Sequence, residues 1–271
     1  MELNKELAYI FGVYLGDGCI WDNGQGSKVF GLEAIDEDFV QYAAKCLRKL
    51  TGRRCRVRSQ KYENKQDTWR VQVSHPELTE KLFHETHAKT HIPKIILEAS
   101  DVLKKEFISG VLDSEGYVSV SKRHTYNNYD VFDMQIGVCV CDCWLYEFHK
   151  MLQDMEVHVN SIVRSDTASG RIALRFTINK QSFIDNKLYF HVSRKQDRID
   201  YYKSIFQSST TIRGIPKTDE TKRRISEGLK DRKFTAEHKL NLIGAWTDKR
   251  KAKIQRDSSG KFIGKDRVSS L

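Results

Sequence analysis

The chain has 271 residues, 39% of them hydrophobic, which suits one or two folded domains. Its longest early apolar run, residues 7–15, is too short to span a bilayer, and no basic leader with a cleavage site precedes it, so we expect an intracellular protein. Of the net charge of +10, nine come from residues 213–267, where 17 Lys and Arg stand against 8 Asp and Glu. This surplus favours a nucleic-acid partner over a merely solvated tail.

The first predicted element is an apolar helix that ends in a carboxylate and a glycine. Residues 8–18 read AYIFGVYLGDG, with Gly12 and Gly16 four residues apart on one helix face. Small residues at this spacing let a second helix approach closely. Asp17 follows, and Gly18 after it can end the helix in a left-handed conformation.

A sheet-forming segment and two helices follow this first motif. Alternation, helix caps and Pro76 predict them in the following order. The predicted ranges are strands at 19–25 and 28–34, a helix at 36–50, strands at 55–62 and 68–74, and a helix at 76–87.

The opening pattern returns at residues 106–116, which read EFISGVLDSEG. Gly110 and Ser114 again lie four residues apart, and Glu115 takes the place of the first carboxylate. Two such helices side by side would bring Asp17 and Glu115 together, where two carboxylates repel unless cations neutralise them. A metal-dependent centre that cleaves phosphodiesters needs this arrangement.

The elements after the second motif repeat the order of the first. The predicted ranges are strands at 117–124 and 131–140, a helix at 142–155, strands at 159–165 and 171–179, and a helix from Gln181. The sequence thus predicts an α+β fold made of two αββαββα units, residues 1–100 and 101–206, and a separate tail, residues 207–271.

Several predicted strands alternate so that polar side chains share one face. A solvated strand face would look similar, but repeated Arg, Gln, Asn and Ser favour nucleic-acid binding because they contact base edges. The candidate DNA-binding residues of the two units are Asn23, Gln25, Arg56, Arg58, Gln60, Arg70, Gln72, Ser119, Ser121, Arg123, Gln135, Arg171 and Arg175.

The tail contains a second repeat, with residues 217–233 aligning over residues 234–250. Thr218 and Thr235 are candidate N-caps of two short helices that end in basic residues. Too few apolar residues are present for an independent core, so we expect these helices to need DNA or the main body. The candidate DNA-binding residues here are Arg223, Arg224, Lys230, Arg232 and Lys233.

The two motifs, in register and 98 residues apart (115 − 17), resemble the LAGLIDADG family of homing endonucleases in its single-chain form. The resemblance covers about residues 5–205 and implies pseudo-symmetric units whose antiparallel sheets form a saddle over the DNA major groove. It also implies that Asp17 and Glu115, with the preceding positions Gly16 and Ser114, hold the metal ions. Leu15 departs from the family, which often has a first Asp there.

The resemblance further implies a basic residue beside each metal site. Lys89, shortly before an Ile-Pro pair, and Lys195 are the positions that match. Either could stabilise the pentacovalent phosphate, although phosphate clamps or surface lysines are the alternative. The tail resembles modular helix repeats appended to intron-encoded nucleases, and residues 256–262 resemble another small appended element.

We therefore expect a monomeric, intron-encoded homing endonuclease that cuts double-stranded DNA at a specific site. Its expected cofactors are two or three Mg²⁺ ions, with Mn²⁺ as a substitute, and no membrane partner is expected. Two alternatives remain open on the same fold. One is an RNA maturase that binds its host intron RNA, and the other is a noncatalytic DNA-binding regulator. The intact acids and lysines favour the enzyme.

Overall fold

A computed structural model describes residues 1–63, 66–126, 129–167 and 170–208, and two short strands beyond them. The chain divides into two compact units, residues 1–209 and 210–271. In the second unit, β9 (Gln255–Arg256) pairs antiparallel with β10 (Phe262–Ile263). The two predicted tail helices lie outside the described residues, and so do their candidate DNA-binding residues Arg223, Arg224, Lys230, Arg232 and Lys233.

The first half of the first unit begins with a helix and continues through one sheet and three further helices. The elements are α1 (Lys5–Leu15), β1 (Cys19–Asp22), β2 (Lys28–Ala34), α2 (Glu37–Thr51), β3 (Arg58–Gln60), β4 (Thr68–Ser74), α3 (Pro76–Glu85) and the short α4 (Lys94–Leu97), which the sequence did not predict.

A second set of elements in the same unit follows the same order. They are α5 (Asp101–Glu115), β5 (Gly116–Tyr126), β6 (Tyr129–Val140), α6 (Leu145–Asp154), β7 (Val163–Asp166), β8 (Ile172–Ile178), α7 (Lys180–Asp185) and α8 (Ser193–Ser208). The single helix predicted from Gln181 is thus two helices, α7 and α8.

Two four-stranded antiparallel sheets result, with the orders β1-β2-β4-β3 and β5-β6-β8-β7. The second order repeats the first, so the chain uses one topology twice and the predicted α+β class is confirmed. In the described ranges, no helix has the length and apolar content needed to cross a bilayer.

The motif helices α1 and α5 pack directly against each other through their glycines. A methyl group on Gly12 would lie 2.3 Å from the Phe107 carbonyl oxygen, and one on Gly110 would lie 2.3 Å from the Tyr9 carbonyl oxygen. Backbone therefore touches backbone, as the four-residue spacing predicts. The surrounding α1 residues from Leu7 to Leu15 are buried, which makes this contact the centre of the core.

Several predicted boundaries are wrong, each for a local reason. Strand β1 ends at Asp22 instead of residue 25, because the Asn23 side chain accepts backbone N–H groups of Gln25 and Ser27 in a turn. The prediction of a left-handed glycine after the carboxylate is also wrong, since neither Gly18 nor Gly116 has a positive φ, and Gly116 has φ −79°. A glycine is needed there because a methyl group would meet the Leu112 carbonyl oxygen at 2.4 Å.

The two sheets differ in the length of their first hairpin. Strands β1 and β2 have 4 and 7 residues, whereas β5 and β6 have 11 and 12. A bulge shifts the β5–β6 register between Lys122 and His124, so the predicted DNA-binding residue Arg123 lies at this irregularity. The second sheet therefore extends further from the motif helices than the first.

Candidate active site and nucleic-acid interface

The ends of α1 and α5 meet at the two predicted carboxylates. A methyl group on Gly16 would lie 2.2 Å from Ser114 Oγ and 3.0 Å from Glu115 Cγ. The hydroxyl of Ser114 donates to the Gly110 carbonyl at 2.9 Å, so this side chain is engaged within its own helix. Helix packing thus places Asp17 and Glu115 beside each other, as the sequence predicts for two helices in contact.

Both carboxylates are held in surroundings that disfavour their charge. Burial, followed by the charge of Asp17, raises the pKa of Glu115 to about 7. Asp17 reaches solvent, but the packing around it removes enough water to raise its pKa, against the opposing charges of Lys195 and Lys89. Two carboxylates that repel each other in a partly dry site are well suited to bind a divalent cation.

One predicted lysine binds at the C-terminal end of each motif helix. The Lys89 ammonium donates to the carbonyls of Gly16 at 2.5 Å and Gly18 at 3.2 Å. The Lys195 ammonium donates to the carbonyls of Leu112 at 3.0 Å and Asp113 at 2.6 Å. Both lysines therefore lie beside the carboxylates and satisfy carbonyls at the negative ends of the helices.

The lysines differ in how they are placed. Lys195 is only 6% exposed, whereas Lys89 is half-buried on a turn in which His87, Ala88 and Lys89 all have positive φ, at 48°, 55° and 72°. Left-handed backbone at three consecutive non-glycine residues stores strain, which the surrounding structure must hold. Thr86 does so, because its hydroxyl accepts the Lys89 N–H at 3.1 Å. The sequence offers no signal for this turn.

Sequence reasoning missed Asp113, a buried carboxylate on α5 that is 2% exposed. It accepts the Tyr9 hydroxyl at 2.8 Å and the backbone N–H groups of His191 and Val192 at 2.9 and 3.2 Å. These bonds fix the segment that leads into α8 and hence the position of Lys195. Burial raises the pKa of Asp113 to about 7, against these hydrogen bonds.

A comparison of the two motifs would have singled out Asp113. In register with Asp17 and Glu115, it occupies the same motif position as Leu15, where the family often has its first Asp. Leu15 is also buried, so this motif position holds an apolar side chain in the first half and a carboxylate in the second. Asp113 is a structural anchor, engaged with α1 and with the α8 segment and facing away from solvent.

The two carboxylates of Asp17 and Glu115 are a small set of ligands, but they fit a hard cation such as Mg²⁺. Within the described part of the chain, no group of three or more His, Cys, Asp or Glu side chains is gathered in one place. Mg²⁺ commonly binds one or two carboxylates together with water and substrate phosphate. Asp17 and Glu115 can supply the two carboxylates. At the two preceding positions, the Gly16 carbonyl already accepts Lys89, and the Ser114 hydroxyl is engaged in α5.

The outer faces of the two sheets carry many of the predicted DNA-binding residues. In the first sheet Arg58 pairs with Arg70, and Gly31 pairs with Gln72. The buried residues Val71 and Val73 alternate with these polar residues, so the polar set points away from the core. Predicted residues that share an outer face by strand register are Arg58, Gln60, Arg70 and Gln72 in the first sheet, and Ser119, Ser121, Gln135 and Arg175 in the second.

Other predicted residues lie outside the strands. Arg56 and Arg171 are exposed but precede β3 and β8. Gln25 is exposed in the turn after β1, while the side-chain oxygen of Asn23 is engaged in that turn. These residues flank the two outer faces and do not form part of them.

The described residues define a mixed α+β protein with a two-carboxylate, two-lysine centre and two polar sheet faces. No family model matches the chain. An uncharacterized protein of Methanocaldococcus jannaschii is 27% identical over 212 residues, which cover 72% of this chain and 70% of that protein.

Solved structures similar to this chain include homing endonucleases. I-WcaI bound to its DNA recognition sequence is 14% identical and covers 72% of this chain and 88% of its own, with a TM-score of 0.49. I-DmoI in complex with DNA and Mn is 14% identical and covers 76% of this chain and 98% of its own, with a TM-score of 0.44. The LAGLIDADG homing endonuclease I-LtrWI bound to target DNA is 12% identical and covers 82% of this chain and 96% of its own, with a TM-score of 0.44. At these identities the likeness concerns the fold alone.

Proposed function

We propose that this chain is a metal-dependent, site-specific double-strand DNA endonuclease of the LAGLIDADG homing type. The supporting observation is the meeting of Asp17 and Glu115 at the touching ends of α1 and α5, with one lysine bound to each helix end. Two acids from two motifs in one chain provide one acid for each DNA strand. A monomer therefore suffices for a double-strand cut.

The chain's own residues would hold the cations and orient the scissile phosphates. Asp17 and Glu115 supply the negative oxygens that would bind Mg²⁺ or Mn²⁺. When bound, divalent ions lower the pKa of the attacking water and neutralise the leaving oxygen, so a tuned side-chain base is not required. Because cation binding needs ionised carboxylates, the pKa of Glu115 at about 7 would make binding stronger as the pH rises through 7.

The two lysines would act unequally. Each ammonium uses two of its three N–H donors on backbone carbonyls, which leaves one for a phosphate oxygen. Lys89 is the more exposed of the two and is the better candidate for contact with the phosphate in the transition state. Lys195 is buried, and its main role would be to fix the end of α5 beside Glu115.

The outer sheet faces would bind the DNA on both sides of the centre. Arg58, Gln72 and Gln135 have the side-chain types that read guanine and adenine edges. We assign residues 1–100 and 101–206 to the two halves of the DNA-binding body. Residues 207–271, which hold most of the net positive charge, would add sequence-independent affinity.

The experiment that tests this function works without a known target sequence. Full-length protein is incubated with a library of randomised double-stranded DNA, with Mg²⁺ or with EDTA, and the ends produced are sequenced. The proposal expects paired cuts within one long sequence in Mg²⁺ and none in EDTA. Sequence-specific binding without cutting in Mg²⁺ or Mn²⁺ would favour the noncatalytic regulator instead.

A further inference from the structure

A carboxylate lies within the basic outer face of the first sheet. Glu33 on β2 pairs with Arg70 on β4, and its Oε2 accepts the Arg70 Nε–H at 2.8 Å. Arg70 Nη2 forms an ion pair with the same oxygen at 2.6 Å. Its Oε1 accepts the hydroxyls of Tyr62 and Thr68, both at 2.6 Å. Three hydrogen bonds and one ion-pair contact therefore surround this carboxylate, and the two contacts with Arg70 restrain its guanidinium.

The second sheet has the equivalent arginine without this support. Gly31 faces Cys19 in the first sheet, as Gly137 faces Tyr117 in the second, so the two registers can be matched. Two residues beyond these glycines are Glu33 and Cys139, which pair with Arg70 and Arg175 respectively.

The residues around the two arginines differ in the same way. Thr68 stands two residues before Arg70, and Ala173 stands two residues before Arg175. Ala173 has no hydroxyl to donate, and Cys139 has no charge to match that of Glu33. No ion pair of Arg175 is found among the described residues. Both sheets thus have an arginine at this position, but among the described residues only Arg70, of these two arginines, is held by a carboxylate.

Both arginines lie at the inner end of their sheets. Glu33 follows Gly31, whose partner Cys19 stands two residues after Asp17. Cys139 follows Gly137, whose partner Tyr117 stands two residues after Glu115. The base pairs within reach of Arg70 and Arg175 are therefore near the cleavage centre and not at the ends of the target.

The guanidinium of Arg70 retains enough donors to read a base. Its Nε–H donates to Glu33 and its Nη2 lies against the same carboxylate oxygen, so both N–H groups on Nη1 remain available for a base. A guanine offers O6 and N7 in the major groove and needs two donors. The Arg70 side chain is 43% exposed, so these donors can reach DNA, and a guanidinium already fixed in place loses little entropy on binding.

We propose that Arg70, held by Glu33, Tyr62 and Thr68, reads one guanine in the inner part of the half-site that the first sheet binds. Arg175 would contact the equivalent position of the other half-site with less selectivity. This assignment rests on the DNA binding proposed above. The competing explanation is that Glu33 merely neutralises Arg70 and keeps it away from DNA.

The test is selection of binding sites from a randomised double-stranded DNA library by the full-length protein in the absence of Mg²⁺. The variants are Arg70→Lys, Glu33→Ala and Thr68→Ala, which copies Ala173, and Arg175→Lys is the matched control. The wild type should prefer G·C at one inner position of one half-site by roughly 5- to 100-fold. Arg70→Lys should reduce that preference the most, because an ammonium lacks the planar pair of donors that Glu33 holds in place, and Glu33→Ala and Thr68→Ala should weaken it. Arg175→Lys should leave that position unchanged.

Affinity and selectivity separate the two explanations. Removal of the Glu33 charge should raise salt-dependent affinity for all sequences while the preference for the guanine falls. Tighter binding with every base preference unchanged would show that Glu33 only neutralises Arg70, and would overturn the inference. An Arg70→Lys protein with the wild-type preference would overturn it as well. If no variant or wild-type protein bound DNA at all, the proposed function itself would fail.

Discussion

Replacement of Glu115 by Gln should stabilise the metal-free protein above neutral pH while it abolishes one of the two cuts. Glu115 stands at the contact between α1 and α5, where burial and the charge of Asp17 raise its pKa from 4.5 to about 7. The folded state therefore binds the proton of Glu115 more tightly than the unfolded state does. By linkage, this carboxyl group lowers stability progressively as the pH rises from 4.5 to 7, and the loss is complete above 7.

The size of the effect follows from the two pKa values. One pKa unit corresponds to about 1.4 kcal/mol, so the difference between 4.5 and about 7 corresponds to about 3 kcal/mol for a fully buried group. Solvent screens this half-buried side chain, so we expect about 1–2 kcal/mol. For a protein of this size, that gain should raise Tm by about 2–8 °C in the Gln variant at pH 8.

The assay is thermal unfolding in EDTA between pH 5 and pH 8.5, with Glu80→Gln as a control at an exposed position. Glu115→Gln should match the wild type at pH 5 and exceed it at pH 8, whereas the control should differ by less than about 0.5 kcal/mol throughout. Mg²⁺ should then stabilise the wild type more than the Gln variant. A Gln variant that is less stable than the wild type at pH 8 would refute the reasoning.

Three further predictions concern the supports of the site and the tail. Gly12→Ala should destabilise the protein by about 1–3 kcal/mol in urea unfolding, because its methyl group would meet the Phe107 carbonyl oxygen; an unchanged midpoint would contradict the helix contact. Asp113→Leu, which copies Leu15, should cost about 2–4 kcal/mol because it leaves two buried N–H groups and the Tyr9 hydroxyl unpaired, and a neutral effect would show that this network is dispensable. Removal of residues 209–271 should weaken DNA binding and flatten its salt dependence, whereas loss of metal-dependent cleavage at saturating protein would show that the tail belongs to the catalytic unit.

The helices and strands of the first 208 residues follow closely from local sequence signals. The spacing of Gly12 and Gly16 predicts a tight helix contact, and strand alternation predicts the outward polar faces. The predicted ends of helices and strands were wrong where side chains, in place of backbone groups, form the hydrogen bonds of the backbone. The Asn23 turn shortens β1, and the break between α7 and α8 divides one predicted helix.

The contacts that support the site depend on long-range register, which a single sequence does not reveal. Glu33 and Arg70 are 37 residues apart, and Asp113 and His191 are 78 apart. Local patterns identify Glu33 only as one more strand residue. The left-handed turn at Lys89 is still less predictable, because it uses residues that normally avoid positive φ and is imposed by Thr86 and its neighbours.

The most direct test of the two-carboxylate centre is the cleavage of a supercoiled plasmid that carries a selected target, by Asp17→Asn, Glu115→Gln and the double variant. With Mg²⁺, the wild type should produce linear plasmid, and each single variant should stop at the nicked circle. The double variant should bind the target without cutting it. Linear product from either single variant at the wild-type rate, or nicking by the double variant, would contradict the assignment of Asp17 and Glu115 to the two cuts.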